Sequence, residues 1–384
     1  MKKAMGMFLA AVLAMGLTAC GSGGTGTTAA APAETGGNAG TAAEDGGASE
    51  EGGGEAAAGD QIVTPYGNLP ADGPEINLVL ASDATENSLH SLAAVHMTEV
   101  LAEETQGKIT VTYYPNAQLG SDTEILTSCV AGDIDMDLMS GALAQSLVPE
   151  SCLFNIPFLN SADDLEAIIK TMVDSDFRTA FDACYEEAGL KLLVLSLGQS
   201  FELNTVKPVT SVDDIAGLKI RTVPGESYMA IWNAWGANPT PMAYSELYTA
   251  LQQGVVDGHD QMLSNILAVK FYEQAKYVMM TNHNYGSFTI VMNLDNYEAL
   301  SPEYQEVLSN VGDYMSDYLT RSFQDGAASD RAALEELGVE FYDLSPEEVE
   351  ALKEKGAAGI AAVEDMVQND ELIALYKSCL EENR

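Results

Sequence analysis

From Glu75 onward the apolar positions switch between two periods. Ile76-Asn77-Leu78-Val79-Leu80-Ala81 is a short branched apolar run and reads as a strand. Residues 89–104 repeat apolar side chains at helical spacing, Leu92, Val95, Val100 and Leu101 among them, and Gly107 stops that helix. Residues 108–114 alternate, with Ile109, Val111 and Tyr113 on one side. Residues 121–130 form a short helix that Ser121 or Asp122 would cap, and 134–139 a third strand. A β-α-β-α-β run with short loops predicts a parallel sheet covered by helices. The theme repeats with helices over 163–171, 177–187, 212–216, 227–235 and 244–253, and strands over 190–197, 219–222, 255–257 and 287–292.

The pattern then changes. Ser301-Pro302-Glu303 is a helix start: a serine cap, proline at the first position, then an acid. No further proline occurs through Leu337, so the helix can run to 36 residues, about 54 Å. That exceeds the width of a small domain, so a helix this long is expected to span two; Gly312 and Gly326 are where it could bend. Ser345-Pro346-Glu347-Glu348 repeats the start signal, and two more helices follow.

The first sixty residues carry no such periods. Lys2 and Lys3 precede an apolar stretch from Ala4 to Leu17, and Leu17-Thr18-Ala19-Cys20 places small residues before a cysteine. This reads as a secretory signal over 1–19, of a kind that resembles bacterial lipoprotein signals, in which the cysteine, here Cys20, becomes the lipidated N-terminus. Residues 21–60 hold 13 Gly, 11 Ala, seven acids and no Lys or Arg. Such a segment cannot bury enough surface to offset its ordering entropy, so a flexible tether is expected over 20–60. Its Gly21-Ser22-Gly23-Gly24-Thr25-Gly26 matches GxGxxG in form only, having neither strand before it nor amphipathic helix after it.

Charge narrows the function. Seventeen basic residues face 58 acidic ones, a formal net charge of -41. A nucleic-acid binder or a protein held on anionic lipid by basic residues needs a cationic footprint that this chain lacks. The field of the whole chain repels anions, so an anion site must be built locally. After the first 20 positions no apolar run is long enough for a transmembrane helix. Cys129, Cys152, Cys184 and Cys379 show no ligand spacing and are expected as small core residues, a disulfide being left open.

Few residues offer chemistry. Asp133, Asp135 and Asp137 begin like a calcium loop, but Leu138 stands at the sixth position and Ala144 at the twelfth, where glycine and glutamate are required. The three acids are expected at a turn, facing water. His90 and His96 are six apart and do not share a helix face; no zinc site, nucleophile elbow, Walker loop or HExxH is found, and no metal or cofactor is expected. Trp232 and Trp235, three apart on a predicted helix, are expected on a packing face, lining a cleft being the alternative. Arginine is scarce: Arg321 and Arg331 are expected in surface ion pairs and Arg178 in solvent, and Arg384 is terminal. Arg221 differs, because it ends the strand 219–222. Ligands of open α/β sheets bind at the carboxyl ends of strands, and a guanidinium fits a carboxylate in two bonds. A structural ion pair is the alternative.

At this point the chain resembles the solute-binding proteins of tripartite ATP-independent periplasmic (TRAP) transporters, over roughly 75–333. The residues that carry the resemblance are Tyr114-Pro115-Asn116-Ala117-Gln118-Leu119-Gly120, Ile156-Pro157-Phe158, Gly217-Leu218-Lys219-Ile220-Arg221, Gly236-Ala237-Asn238-Pro239-Thr240-Pro241-Met242 and Gln253-Gly254-Val255-Val256-Asp257-Gly258. The resemblance implies an α/β, two-lobed periplasmic-binding-protein-like fold with a hinge and a long helix bracing both lobes. It implies lobe I over 75–198 with 287–325, lobe II over 199–286 with 326–384, and crossings near Gly198, near Gly286 and within the helix from Pro302. Such a receptor closes on a small organic acid, here a monocarboxylate or sugar acid, and delivers it to an ion-gradient-driven permease; it is not an enzyme. It would work outside the cytoplasmic membrane, lipid-anchored or periplasmic, as a monomer, the long helix offering a dimer surface that nothing demands.

By the same resemblance Arg221 pairs with the ligand carboxylate and Gln261, in the run His259-Asp260-Gln261, touches ligand. Asp260 and Asn238 approach the cleft, and Asn87 and Ser88, in the loop 83–90, are polar contacts from the facing wall. Many members carry a second arginine where Ser200 stands, in Gly198-Gln199-Ser200-Phe201-Glu202. Its absence disfavours dicarboxylates and sugar acids and leaves room for a polar or cationic end near Glu202. Rival readings are an ABC-type binding lipoprotein, a secreted enzyme and a ligand-sensing subunit. The Asn238-Pro239-Thr240-Pro241-Met242 and Val256-Asp257-Gly258 motifs speak against the first, and the missing catalytic set against the second.

Overall fold

The computed structural model describes residues 61–384; the signal segment, Cys20 and the tether lie outside the described residues. The described chain opens on a hairpin of β1 (Gln61–Thr64) and β2 (Gly67–Pro70), ahead of the expected start near Glu75. The hairpin is too short to show a period, and tertiary contact fixes it: Asn310 donates to the Tyr66 carbonyl. The predicted parallel unit follows as β3 (Ile76–Ala81), α1 (Leu89–Glu104), β4 (Ile109–Tyr114), α2 (Asp122–Ala131) and β5 (Met136–Ser140). β3 lies between β4 and β5, parallel to both. Ser88 caps α1 through Ser91 N–H, Ser121 and Glu124 close a capping box on α2, and Gly132 ends that helix at φ 80°.

Short 3₁₀ turns, α3 (Leu165–Val173) and α4 (Asp176–Glu187) lead into β6 (Leu190–Thr205). Then come β7 (Lys219–Thr222), α5 (Glu226–Ala234), β8 (Asn238–Pro241), α6 (Leu247–Gln252), β9 (Gly258–Gln261), α7 (Leu263–Ala268) and β10 (Tyr277–Asn293). The chain ends with α8 (Leu294–Glu298), α9 (Pro302–Glu336), β11 (Glu340–Asp343), α10 (Pro346–Val367) and α11 (Asp370–Asn383). The helix expected over 212–216 is a 3₁₀ turn, and the strand expected over 255–257 forms instead at β9. Val255 points to solvent, whereas the polar-looking Gly258-His259-Asp260-Gln261 is wholly buried.

The large sheet runs β4-β3-β5-β10-β6-β9-β7-β8, with β11 beside the start of β10. β6 and β10 are 16 and 17 residues long and antiparallel to each other, two to nearly three times the length their apolar runs predict. Their unpredicted halves are polar but buried (Gln199, Glu202, Asn204; Thr281, His283, Asn284), so apolar periodicity could not reveal them. β5 pairs with the Phe288–Met292 end of β10, and β9 with Glu202–Thr205 of β6. Each long strand therefore belongs to both halves of a two-lobed sheet, and their pairing slips between Tyr285 and Ser287. At that midpoint the backbone is crowded: a side chain on Gly286 would start 2.4 Å from the Phe201 ring.

One face of the sheet packs against α1, the hairpin and α9, with Leu80, Met97, Ile290, Val311 and Phe323 inside. The other packs against α3, α4, α5, α10 and α11, around Phe154, Phe177, Phe181, Trp232, Trp235 and Tyr376. The 35-residue α9 touches α1, β2 and β6 as well as α7, so it braces both halves as expected. Two charged side chains depart from expectation. Arg178 is buried, donating to the Met172 and Leu192 carbonyls and pairing with Asp182 at 2.7 Å, because it caps the ends of those backbone segments beneath α9. Asp137 faces inward, 1% exposed, because β5 is buried on both faces; Asp133 alone of the three acids is exposed. The tryptophans are packing residues whose ring N–H groups bond Asp260 and the Leu352 carbonyl. The four described cysteines are free.

Candidate functional site

The carboxyl ends of β3, β5 and β7 converge on a cavity of about 60 Å³. The loop after β3 contributes Asp83 and Ala84, α1 His90, the start of α2 Asp122, and β5 Leu138 to Ser140. From the other half come Arg221 and Val223 at the end of β7, Tyr244, Gln261 at the end of β9, and Asn265 on α7; Phe201 and Phe288 of the crossing strands close the floor.

Arg221 is 2% exposed, yet among the described residues no carboxylate lies within ion-pair distance of it. Its Nε and Nη2 donate to one acceptor, the Met242 carbonyl, at 3.1 and 2.9 Å. The Tyr244 ring stands 5.8 Å from the guanidinium carbon. Burial pulls the Arg221 pKa down, and the field of Asp260, Asp83 and Asp122 restores part of it. A buried guanidinium held on one edge, with the other turned toward a cavity, is a receptor for a carboxylate. Gln261 accepts from Met262 N–H and Asn265 Nδ2 through Oε1, which fixes its amide, and it lines the same cavity.

The facing wall is acidic. Asp83 and Asp122 are half-buried and hydrogen-bonded to each other. Burial raises both; Asp83 raises Asp122 further, while the hydrogen bond with Asp122 and the field of Arg221 lower Asp83, so the pair shares a proton. Behind them Asp137 is pushed well up by burial and by Asp83. His90, stacked on Phe288 at 4.6 Å, is driven down to about 4 by burial and is neutral at pH 7.

Of the residues proposed from sequence, Arg221 and Gln261 meet in this cavity, and the others do not. Asn87 is exposed, and Ser88 is buried with its hydroxyl committed to the α1 cap and the Thr85 carbonyl. Asn238 is exposed and donates to the Gly217 carbonyl, fastening β8 to the turn before β7. Ser200 binds Glu202 and Asn282 at the strand crossing. Asp260 sits one layer deeper, 3% exposed, held by Trp232 Nε1 at 3.1 Å with His283 3.8 Å away. Sequence reasoning passed over Asp83, Asp122, Tyr244 and Asn265. The available signal was position: Asp83 directly follows the first strand, where the chain leaves the sheet at its ligand end.

Glu202, at the crossing, is fully buried and accepts from Asn282 N–H, Ser200 and Thr281. Burial outweighs these bonds and raises it to about 7. The folded state thus holds a proton that the unfolded chain releases near pH 4.5, so this residue's stabilisation is full below that value and is lost as pH rises through 7. Chemical unfolding at pH 5 and pH 8 should show wild type losing more stability across the interval than Glu202→Gln; equal losses would dissociate Glu202 from the pH response.

Known proteins resemble the chain in sequence and fold. A model of the family described as bacterial extracellular solute-binding protein, family 7, matches residues 80–365. The 2,3-diketo-L-gulonate-binding periplasmic protein of Escherichia coli strain K12 is 28% identical over 259 residues, covering 67% of this chain and 78% of that protein. The ectoine-binding periplasmic protein of Halomonas elongata is 27% identical over 278 residues, covering 71% and 81%. Among solved structures, the sugar acid binding protein of Advenella mimigardefordensis in complex with galactonate superimposes with a TM-score of 0.76 at 24% identity, over 82% of this chain and all of that one. The chain belongs to the family 7 bacterial extracellular solute-binding proteins, the solute receptors of TRAP transporters.

Proposed function

We propose that this receptor is lipid-anchored through Cys20 and binds a small organic acid by its carboxylate. Arg221 and Gln261 hold the carboxylate, and the receptor hands the ligand to TRAP permease subunits. The carrying observation is Arg221, a buried guanidinium with no ion-pair partner among the described residues, facing a cavity. Lobe I is taken as 75–198 with 287–325 and lobe II as 199–286 with 326–384. The strand pairing supports this division, although α11 reaches back onto α3 and α4. The relatives bind diketogulonate and ectoine, both carboxylates, and the galactonate complex holds a third. Closure draws on contacts made only when the walls meet, since a ligand shifts the open–closed balance by its difference in affinity for the two states.

The test is a thermal-shift screen of residues 61–384 against organic acids, sugar acids and amino acids. A ligand at 100 times its dissociation constant adds about 2.7 kcal/mol, which is a readable shift. Hits confined to molecules without a carboxylate would overturn the reading. Retention of label from radioactive palmitate by wild type, and its loss in Cys20→Ala, tests the anchor.

A further inference from the structure

The cavity holds opposite charges on opposite walls. Arg221 supplies the cationic wall; Asp83 and Asp122 supply the anionic one. Among the residues lining the cavity Arg221 is the sole cation, His90 being neutral. A ligand that is only an anion leaves this acidic wall unmatched and adds like charge to it, an arrangement that works against binding. A dicarboxylate does so twice.

A second feature is an unmatched acceptor on the Arg221 side of the cavity, next to Gln261. Asn265, 3% exposed and lining the cavity, gives its Nδ2 to Gln261 and leaves Oδ1 buried with no partner. Buried acceptors are normally satisfied, and an orphan in a binding cavity marks where a ligand donor belongs. The half-buried Asp83 and Asp122 add acceptors on the same cavity. The cavity thus offers acceptors at Asp83, Asp122 and Asn265, and donors at Arg221, Gln261, Ser140, the Tyr244 hydroxyl and the neutral His90 ring.

We propose that the ligand is a small zwitterion, its carboxylate on Arg221 and a cationic nitrogen with N–H donors on Asp83 and Asp122. The assignment rests on the carboxylate reading of Arg221 and names what the opposite end must be. An ammonium or amidinium replaces the proton that the aspartate pair otherwise shares. The two poles of one molecule then tie the loop after β3 and the start of α2 to the end of β7, so the ligand itself draws the walls together. The titratable and charged groups around the pair are Tyr113 on β4, Asp137 on β5, His90 on α1 and, across the cavity, Arg221, Tyr244 and Asp260. None is a second cation that would take the nitrogen's place.

The experiment is calorimetry of the purified chain with matched pairs that differ only in nitrogen: proline and cyclopentanecarboxylate, 4-aminobutyrate and butyrate, and a cyclic amidine acid and its cyclohexene carboxylate analogue, with galactonate and succinate beside them. At least one zwitterion should bind ten times or more tighter than its nitrogen-free partner and than either sugar acid or dicarboxylate. In Asp83→Asn and Asp122→Asn that preference should shrink at least tenfold while the nitrogen-free partner binds no worse. In Arg221→Met both members should be lost. A nitrogen-free acid binding within tenfold of the best zwitterion, or silence of every zwitterion, overturns the proposal. Undiminished binding in Arg221→Met overturns the carboxylate reading instead, so the two failures are told apart. Retained unfolding temperatures in the asparagine variants separate lost recognition from lost fold.

Discussion

Replacing Arg221 by methionine is expected to weaken carboxylate binding a hundredfold or more while leaving the folded chain near its original stability. The two effects separate because of where the residue stands. In the structure Arg221 is 2% exposed and bonded to a single carbonyl, that of Met242, without an ion pair among the described residues. Methionine fills much of the space of its stem and removes a charge whose desolvation the fold does not fully offset; in compensation the Met242 carbonyl loses its donor, roughly 1 kcal/mol. With ligand bound the balance reverses. Truncating one partner of a buried charge pair costs about 2–5 kcal/mol, and each 1.4 kcal/mol is about tenfold. Calorimetry with the acid found in the screen, beside thermal unfolding of both proteins, reads both quantities. A variant of native unfolding temperature and native affinity would remove Arg221 from the site.

The same residue shows what could be read in advance. The strand over 219–222 was visible because Ile220 and its neighbours sit between a helix end and a Thr-Val-Pro-Gly turn, and a cation at a strand's carboxyl end is conspicuous in a chain with so few. The length of α9 was legible for an equally local reason: Ser301-Pro302 starts it, and nothing before Leu337 can stop it. What was hidden depends on contacts distant in sequence. The outer halves of β6 and β10 are polar strands that survive because their groups bond one another, as Asn204 does with His259 and with the Ala275 and Tyr277 carbonyls. Periodicity reports apolar faces and is silent on such a seam.

The acidic wall was missed for a related reason. Asp122 beside Ser121 looks like any acid in the first turn of a helix, where the macrodipole favours it. Only the tertiary approach of the loop after β3 places Asp83 against it and turns a helix-end acid into half of a carboxyl pair. Asn87 and Ser88 stand outside the cavity lining for the converse reason. They lie in the correct loop, but α1 needs a cap and Ser88 provides it, while Asn87 stays in solvent. A loop can be placed from sequence; which of its side chains turns inward is set by the helix that follows.

The two glycines of α9, which look alike in sequence, should respond to alanine with opposite signs. Alanine in a helix interior is favoured over glycine by about 1 kcal/mol, so propensity alone predicts a gain at both. At Gly326 the added carbon would meet Asp330 and Gln199 side chains at 3.5 and 3.7 Å, which is ordinary contact, and the gain should be realised. At Gly312 it would lie 2.3 Å from the Leu193 carbonyl oxygen and 2.9 Å from its carbon. That oxygen belongs to the backbone of β6, the strand that α9 crosses, so neither side can yield without moving the helix off the sheet. Separation there would loosen Val311 and Met315 in the core and strain the bonds from Leu195 and Leu197 N–H to Ser316 and Thr320. Overpacking costs about 1–3 kcal/mol where side chains can adjust, and a backbone contact should fall at the upper end. Gly312→Ala should therefore lose about 3 kcal/mol and lower the unfolding temperature by roughly 5 °C or more, while Gly326→Ala raises it slightly. Equal responses at the two positions would mean that α9 rests on the sheet more loosely than the Leu193 contact requires. The helix would then brace the two halves through its side chains instead of through its backbone.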